Sequence, residues 1–184
     1  MDTNYYINKS EKYRIIEKNG ICKEYTLDGN KLIFEGEFKN AKKNGKAKEI
    51  DTFDGKVSFE GIYLNGKRNG EGKEYKYGYL KFEGIYVNGK RNGKGKEYGY
   101  GGYLKFEGEF LNGYKKEGKG FNDNGKIVFE LERNGKVKEY YDNGNLKFDG
   151  EYSNEKKKEK ENIIITMVNY KLKQNLKIMI LMEK

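Results

Sequence analysis

Histidine, proline and tryptophan are absent from this chain of 184 residues, and its single cysteine is Cys22. Without histidine, the usual general base and the commonest metal ligand are missing. One cysteine excludes an internal disulfide framework and a Cys/His zinc site, and it is compatible with a reducing compartment. No Ser-His-Asp arrangement can be built either. These absences predict a protein that is not an enzyme and that has no catalytic residues, no bound metal and no cofactor.

Apolar residues make up 35% of the chain and charged residues 36%. This composition normally indicates disorder, but aromatic residues reach 15% and recur at regular intervals. The absence of proline and the presence of 25 glycines suit a β-sheet that keeps its ladder donors and bends at glycines. Residues 1–10 lack the apolar run of a signal peptide, so we expect a cytoplasmic protein, with a peripheral position at a membrane as an open alternative.

A short phrase, Phe-Glu-Gly, recurs along the chain. Four copies and two altered ones begin at Phe34, Phe59, Phe82, Phe106, Phe129 and Phe148. These phenylalanines lie 25, 23, 24, 23 and 19 residues apart. A period in this range indicates a repeat protein, in which each unit buries its apolar side by stacking on its neighbours. We therefore expect function on an extended surface.

The segment from Leu80 to Tyr103 illustrates one repeat. Its first part alternates with a period of two, which predicts a strand with one aromatic face. Asn88-Gly89 follows directly and Asn92-Gly93 comes four residues later, and either pair can adopt the positive φ values of a tight hairpin turn. The returning strand, 94–98, carries a glycine that leaves room for the large rings of the neighbouring strand. Two strands per repeat, joined by hairpins, predict an antiparallel meander.

The spacing of glycines and aromatic residues resembles a known repeat family. One complete copy of the pattern comprises Phe59, Gly61, Tyr63, Gly66, Gly70, Gly72 and Tyr75, and residues 82–98 repeat it. This spacing is similar to that of the membrane occupation and recognition nexus repeat, called MORN. The preceding copy departs from the pattern at Ala41, Ala47 and Ile50, and the following copy carries Gly118 one place late.

The resemblance implies an all-β fold, an elongated single-layer antiparallel β-meander of tandem β-hairpins with an aromatic groove. We expect residues 1–12 to be an N-terminal lead-in. Residues 13–153 are expected to form about six to seven repeat units, with short variants at both ends that cap the array. Residues 154–184 are expected to be a non-repeat C-terminal tail, rich in lysine and apolar residues.

The sequence of the tail allows three interpretations to be compared. A transmembrane helix is excluded, because Lys171, Lys173 and Lys177 interrupt an apolar run shorter than the roughly 20 residues that a span needs. An amphipathic helix or an extra pair of strands is compatible with the composition. We favour the hypothesis of a repeat translated out of frame, since restoring one nucleotide after the codon of Asn154 lets permitted codons encode Phe-Glu and Asn-Gly-Lys again. The coding sequence decides between these interpretations.

The repeated glutamates of the Phe-Glu-Gly phrase are Glu35, Glu60, Glu83 and Glu107. A paired-acid hydrolase needs two carboxylates that are buried to different degrees, whereas these occupy equivalent positions flanked by lysines. We therefore expect an exposed stripe of ion pairs.

The aromatic stripe is first of all the packing that holds the sheet together. A single-layered sheet cannot cover both faces of its rings, so we expect part of the stripe to stay open as a groove for a partner helix, a peptide or a second copy of the sheet. The candidates for this partner groove are Phe34, Phe38, Phe59, Tyr63, Phe82, Tyr86, Phe106 and Phe110.

The hairpin tips form a second repeated series, expected to line up as a basic ridge. The candidates for binding anionic lipid are Lys42, Lys43, Lys67, Arg68, Lys90, Arg91, Lys115 and Lys116. Each such cation near an anionic membrane contributes on the order of 1 kcal/mol. The alternative is that these cations serve solubility and protect the edge of the sheet.

The leading hypothesis is a non-catalytic scaffold or interaction module that binds a protein partner or a second copy of itself, with anionic lipid head groups as an additional candidate. The resemblance also implies an alternative, an antitoxin or immunity-type protein that neutralises a toxin partner, and a neighbouring toxin gene would favour it. The formal charge is +9, but lysines and glutamates are interleaved, which is typical of a solvated face. Nucleic acid is a weaker candidate, because the rings that could stack on bases are used within the sheet.

Overall fold

A computed structural model of the chain describes residues 5–7, 13–18 and 20–151. The chain divides into two units, residues 1–150 and 151–184. The tail predicted for 154–184, with its three interpretations, lies outside the described residues. All that follows concerns the first unit and the end of its last strand.

The described residues form one sheet of 14 strands, in which the spatial order of the strands equals their order in the chain. The strands are β1 (Tyr5–Ile7), β2 (Tyr13–Lys18), β3 (Ile21–Thr26), β4 (Leu32–Lys39), β5 (Lys42–Ile50), β6 (Val57–Leu64), β7 (Lys67–Lys76), β8 (Tyr79–Val87), β9 (Lys90–Tyr98), β10 (Leu104–Leu111), β11 (Tyr114–Phe121), β12 (Ile127–Leu131), β13 (Lys136–Tyr140) and β14 (Leu146–Glu151). Neighbours from β1 to β13 pair antiparallel. The predicted all-β meander is therefore confirmed, and the predicted lead-in, residues 1–12, contains β1.

Both Asn-Gly pairs of the repeat are used, each for a different purpose. Asn88 and Gly89 have φ values of 52° and 83° and form the two-residue turn between β8 and β9. Asn92-Gly93 lies inside β9, where the pairing steps from Gly95 opposite Gly84 to Arg91 opposite Tyr86. The second pair is thus a bulge that adds two residues to the returning strand. The same two-residue turn recurs at Asn40-Ala41, Asn65-Gly66 and Asn112-Gly113.

Consecutive hairpins are also joined near their tips. The N–H of Gly89 donates to the carbonyl of Arg68 in the preceding hairpin over 2.8 Å. The N–H of Asn88 donates to Oδ1 of Asn69, a residue of the preceding bulge, over 3.3 Å. The next hairpin repeats both bonds. The bulge of one repeat therefore holds the turn of the next.

Phe82 lies against two glycines of its own hairpin. A methyl group added at Gly84 or Gly95 would lie 2.8 or 2.6 Å from Cζ of Phe82, a separation too short for real carbon atoms. The hairpins before and after have the same arrangement. This confirms that the glycines make room for the large rings, and in the first hairpin Ala47 stands at the position of Gly95.

Candidate interaction surfaces

The sheet has two different faces. We call the face that carries the rings of Phe34, Phe59, Phe82 and Phe106 the aromatic face, and the opposite one the groove face. Because successive residues of a strand point to opposite faces, Phe82 and its cross-strand partner Glu97 lie on the aromatic face, whereas Glu83 and its partner Lys96 lie on the groove face.

The rings of the aromatic face form one continuous series. Phe82 contacts Tyr86 of its own strand and Phe110 of the next hairpin edge to face, with ring centroids 5.6 and 5.1 Å apart. Such pairs alternate within and between hairpins from Phe38 to Phe106. The series ends with Phe129, which stacks on Phe106 at 5.9 Å. Edge-to-face contact is a favourable geometry for aromatic rings. The rings therefore pack each repeat against the next.

Most residues predicted to line a partner groove are buried in this series. Those with an exposed fraction of 3% or less are Phe34, Phe59, Tyr63, Phe82, Tyr86, Phe106 and Phe110. The eighth, Phe38, packs against them and is partly buried. The expectation of an open groove along these rings is therefore wrong, because neighbouring rings cover their edges and cations cover their outer sides.

One cation lies over each central phenylalanine. The guanidinium carbons of Arg68 and Arg91 lie 3.9 and 4.1 Å from the centroids of the Phe59 and Phe82 rings. Lys43 and Lys115 occupy the same position over Phe34 and Phe106, at 3.9 and 4.7 Å. These cations cover the outer sides of the rings, as a second layer of helices or strands does in a two-layered protein. Their attraction to the rings contributes roughly 0.5–2 kcal/mol each.

A carboxylate of the preceding repeat holds each of these cations. Arg68 bonds Glu49 of the preceding hairpin, with Nη2 at 2.5 Å, and also lies with Nη1 at 3.3 Å from Glu74 of its own strand. Arg91 of the next hairpin bonds the same Glu74. Lys43 pairs with Glu24 at 2.9 Å, and Lys115 with Glu97 at 2.6 Å. The aromatic face is thus closed by residues of the chain itself.

The cations of this network lower the pKa values of the carboxylates that hold them. Burial acts to raise the pKa of Glu74, but the hydrogen bond from Arg91 and the charges of Arg91 and Arg68 outweigh it and lower that pKa. Burial is likewise outweighed at Glu49, where hydrogen bonds from Arg68 and Tyr63 lower the pKa. Both carboxylates therefore stay ionised at neutral pH and keep the cations over the rings.

The eight cations predicted to bind anionic lipid are divided between the two faces. Lys43, Arg68, Arg91 and Lys115 are half-buried over rings, as described above. The exposed ones beside the turns are Lys42, Lys67 and Lys90, each of which pairs across its hairpin with a residue of the groove face. Lys116 lies 3.9 Å from Glu109. Lipid binding by this series stays a prediction, and the exposed ridge at the turns consists of Lys42, Lys67 and Lys90.

The groove face carries an open groove of about 1310 Å³ that crosses the sheet from β3 to β11. Nine strands about 4.8 Å apart make it roughly 38 Å long. Its floor is the backbone of the glycine pairs, such as Gly84 and Gly95, and its walls are rows of side chains on either side of them. The open groove is therefore on the face opposite to the predicted one.

One wall is a row of alternating charge, which we call the charged row. Its members, in register across the sheet, are Lys23, Glu35, Lys48, Glu60, Lys73, Glu83, Lys96, Glu107, Lys119, Glu130 and Lys138. Ion pairs along it include Lys23 with Glu35 at 3.0 Å and Lys119 with Glu130 at 3.1 Å. Three glutamates of the Phe-Glu-Gly phrase, Glu35, Glu60 and Glu107, form the predicted ion pairs, with Lys23, Lys48 and Lys96. The fourth, Glu83, accepts a hydrogen bond from Tyr98.

Tyrosines add to this row. The hydroxyl of Tyr75 donates to Glu60 over 2.7 Å, and that of Tyr98 donates to Glu83 over 2.6 Å. Burial and the hydrogen bond to the carboxylate raise the pKa of each tyrosine to about 12. These hydrogen bonds connect the charged row to tyrosines at the end of each hairpin that lies away from its turn.

The opposite wall mixes apolar and charged side chains, since Ile62 and Ile85 line it together with Lys46, Glu71 and Lys94. Strand alternation places on the groove face a set of residues that we call the apolar strip: Ile62, Leu64, Ile85, Val87 and Leu111. Ile62 and Ile85 line the groove, and the bulge glycines Gly70 and Gly93 face them without a side chain. Leu64, Val87 and Leu111 are 50%, 42% and 48% exposed. The sequence prediction missed this strip, although the alternation of Ile85 and Val87 with the rings was its signal.

The described residues contain no cluster of Asp, Glu, His and Cys arranged to hold a metal ion, and no helix long and apolar enough to cross a membrane. The prediction also missed the carboxylates of the aromatic face. Their signal is the phrase Lys-Glu-Tyr at 73–75 and 96–98, in which alternation separates the glutamate from its neighbours.

The comparison with family models finds the MORN repeat at residues 34–52, 59–77 and 82–102. These ranges coincide with the hairpins β4–β5, β6–β7 and β8–β9. No curated protein matches the chain. The MORN repeat is a non-catalytic repeat module, and such repeats generally mediate interactions with proteins or membranes. With three consecutive matches on three consecutive hairpins, and with the same hairpin architecture on either side of them, the chain is a MORN repeat protein.

Proposed function

We propose that this chain is a non-catalytic interaction module of the cytoplasm that binds a protein partner on its groove face. The observation that supports this proposal most strongly is the contrast between the two faces. The rings of the aromatic face are covered by cations of the chain itself, whereas the groove face leaves about 1310 Å³ open along nine strands. A surface that combines an apolar strip with ordered charges is typical of a protein-binding site.

The absence of catalytic equipment is consistent with this role. The chain has no histidine, and the glutamates of the charged row occupy equivalent positions beside lysines. General acid-base chemistry needs groups whose surroundings separate their pKa values, which equivalent positions do not provide. The groove is therefore assigned to binding.

Site-directed photo-crosslinking tests the proposal. A photoreactive amino acid replaces Ile85 in the groove or, as the control, Tyr100, which is 70% exposed outside it. In cells that make the protein, we expect irradiation to link a defined protein to position 85 and not to position 100. The same products at both positions, or none at position 85, would contradict the proposal.

A further inference from the structure

We infer that the edge of the sheet away from the hairpin turns binds single-stranded nucleic acid, with bases stacked on three exposed tyrosines and phosphates at neighbouring lysines. This loop edge consists of the connections between β3 and β4, β5 and β6, β7 and β8, β9 and β10, β11 and β12, and β13 and β14. None of these tyrosines and lysines lines the groove, so the surface is separate from that of the proposed function.

Tyr77 occupies an unfavourable backbone conformation. It forms the two-residue turn between β7 and β8 with Gly78, and their φ values are 55° and 81°. Every other described residue with a positive φ is a glycine or an asparagine, apart from Ala41. Asparagine suits this region because its short side chain bonds locally, whereas a bulky side chain is strained there. Strained residues of this kind cluster at functional sites, and here the strain is retained together with an exposed ring.

Three tyrosine rings at the centre of the loop edge are open to solvent. Tyr77, Tyr79 and Tyr100 are 52%, 47% and 70% exposed. The rings of Tyr79 and Tyr100 lie beside each other, with their centroids 5.4 Å apart. Tyr103 differs, because its ring packs against the backbone of Gly99. The sequence disfavours nucleic acid only if the rings are used within the sheet, and these three rings are not.

Three lysines surround these rings. Nζ of Lys76 lies 5.4 Å from the centroid of the Tyr77 ring, and Nζ of Lys81 lies 5.9 Å from that of Tyr100. Lys105 is exposed at the start of β10. The three lysines form no ion pair with another described residue. We call the three tyrosines and these lysines the loop patch.

The acidic residues on the strands beside the loop patch already have partners or lie farther away. Glu83 accepts a hydrogen bond from Tyr98, and Glu107 pairs with a lysine of the charged row. The carboxylates of the aromatic face hold the cations over its rings. Glu71 lies closer to the hairpin turn, about 16 Å from Lys76 along β7. The loop patch is therefore positively charged and attracts an anionic ligand.

The other loops of this edge carry the opposite charge. The two central loops contain no acidic residue, whereas the other four contain aspartates, namely Asp28, Asp51, Asp54, Asp123 and Asp142. A bilayer is flat on this scale and would meet the acidic loops together with the patch, and an anionic surface repels them. A narrow strand can contact the central loops alone, which favours a single strand over a membrane.

The size and chemistry of the patch fit a short length of a single strand. The four strands from β7 to β10 span about 14 Å, which corresponds to about four nucleotides at 3.4 Å per stacked nucleotide. Every base has a π face that can stack on an exposed ring, and lysines beside the rings contact the phosphates. In a duplex the bases stack on one another, so their faces are not available to the tyrosines.

The test uses the full chain and a fluorescent strand of about 12 thymidine nucleotides, which is long enough to cover the patch. An abasic strand of the same length keeps the phosphates and lacks the bases. By fluorescence anisotropy at low salt, we expect the normal strand to bind about tenfold more tightly or better, because each stacked base contributes on that order. If three lysines contact phosphates, the logarithm of the affinity should fall with the logarithm of the salt concentration with a slope of about −2.

Variants identify the surface that the strand occupies. Tyr77→Asn removes a ring and introduces the residue that other turns use, so binding should fall about fivefold or more while the urea midpoint stays the same or rises. Tyr100→Ala removes a second ring and should weaken binding similarly, so the test does not depend on one variant. The matched control is Phe53→Ala, which removes an 87% exposed ring from the loop of Asp51 and Asp54 and should bind normally.

Four outcomes would overturn the inference. The absence of binding at low salt, or equal binding of the normal and abasic strands, would show that bases do not stack on the patch. An equal loss of binding in Tyr77→Asn and Phe53→Ala would show that the central loops are not the site. Co-sedimentation with vesicles containing phosphatidylserine, abolished by Tyr77→Asn, would assign the surface to a membrane. Crosslinking at position 85 tests the groove separately, so the proposed function stands or fails independently.

Discussion

The two faces of the sheet are built from alternate residues of the same strands, yet one is closed and the other is open. On the aromatic face, Phe59, Phe82 and Phe106 are each held between two glycines below and a cation above, and a carboxylate fixes the cation. On the groove face, the neighbouring residues pair along a row and leave the floor uncovered. The comparison teaches that one layer of strands can form a dry core if its own side chains supply the covering layer.

The difference follows from side-chain length and position. Arg91 lies next to the turn and opposite Tyr86, so its long side chain can extend back over Phe82 to reach Glu74. Ile85 and Val87 on the groove face are too short to cover a neighbour in this way. Substitutions on the aromatic face should therefore change stability, and substitutions on the groove face should change binding.

The largest expected effect is that of Phe82→Ala. This ring has no exposed surface and contacts Tyr86, Phe110 and Arg91. Its removal from a packed core should lower the free energy of unfolding by about 3–5 kcal/mol. Urea unfolding followed by circular dichroism measures this change.

The control is Tyr100→Ala, which removes a ring that is mostly exposed and should stay within about 0.5 kcal/mol of the wild type. A loss below about 1 kcal/mol for Phe82→Ala would show that the ring series is not the core of the sheet.

The second effect concerns the glycines beneath the rings. Gly95→Ala places a methyl group against Cζ of Phe82, and overpacking of this kind should cost about 1–3 kcal/mol in urea unfolding. Ala47→Gly is the matched control, because Ala47 occupies the same position in the first hairpin and no ring has to move. Equal destabilisation by both changes would mean that glycine is not needed there to seat the ring.

The third effect compares two adjacent cations. Arg91→Ala removes the cover of Phe82 and a partner of Glu74, whereas Lys90→Ala removes an exposed side chain. We expect a loss of about 1–3 kcal/mol for the first change and less than about 0.5 kcal/mol for the second, since the pair with Glu74 is partly buried. Thermal unfolding of both variants measures the difference, and similar values would contradict a special role for the cation over the ring.

The hairpins could be predicted from the sequence, whereas the different positions of Lys90 and Arg91 could not. The meander, the hairpins and the glycines that make room for the rings depend on local patterns. The alternation in residues 80–87 and the glycines that follow were sufficient to predict them. The position of Arg91 depends on which Asn-Gly pair forms the turn. Had Asn92-Gly93 formed it, Lys90 and Arg91 would both lie at the tip, as the predicted basic ridge requires.

The open groove was predicted on the wrong face for a related reason. The prediction assumed that a single layer leaves one side of its rings exposed, and covering by side chains from neighbouring repeats cannot be read from one repeat alone. Glu74 belongs to β7, Arg91 to β9 and Phe82 to the strand between them. Their meeting depends on the register of three strands, whereas the charged row, formed by directly opposed residues, followed from alternation and was predicted.

The smallest expected effect lies on the groove face and depends on pH. Burial and the hydrogen bond to Glu83 raise the pKa of Tyr98 to about 12, above the value of about 10 for an unfolded tyrosine. A raised pKa in the folded state means that the hydroxyl contributes its stability below about pH 10 and loses it as the pH rises towards 12. Between about pH 9 and 11.5, the urea midpoint of the wild type should therefore fall more than that of Tyr98→Phe, which should start lower. Parallel curves for the two proteins would show that the bond to Glu83 contributes nothing. On the aromatic face, burial also raises the pKa of Tyr63. Because the ring of Tyr63 lies in the core, we expect this tyrosine to ionise only when the sheet unfolds. The tyrosines of the groove face should instead ionise in the folded protein.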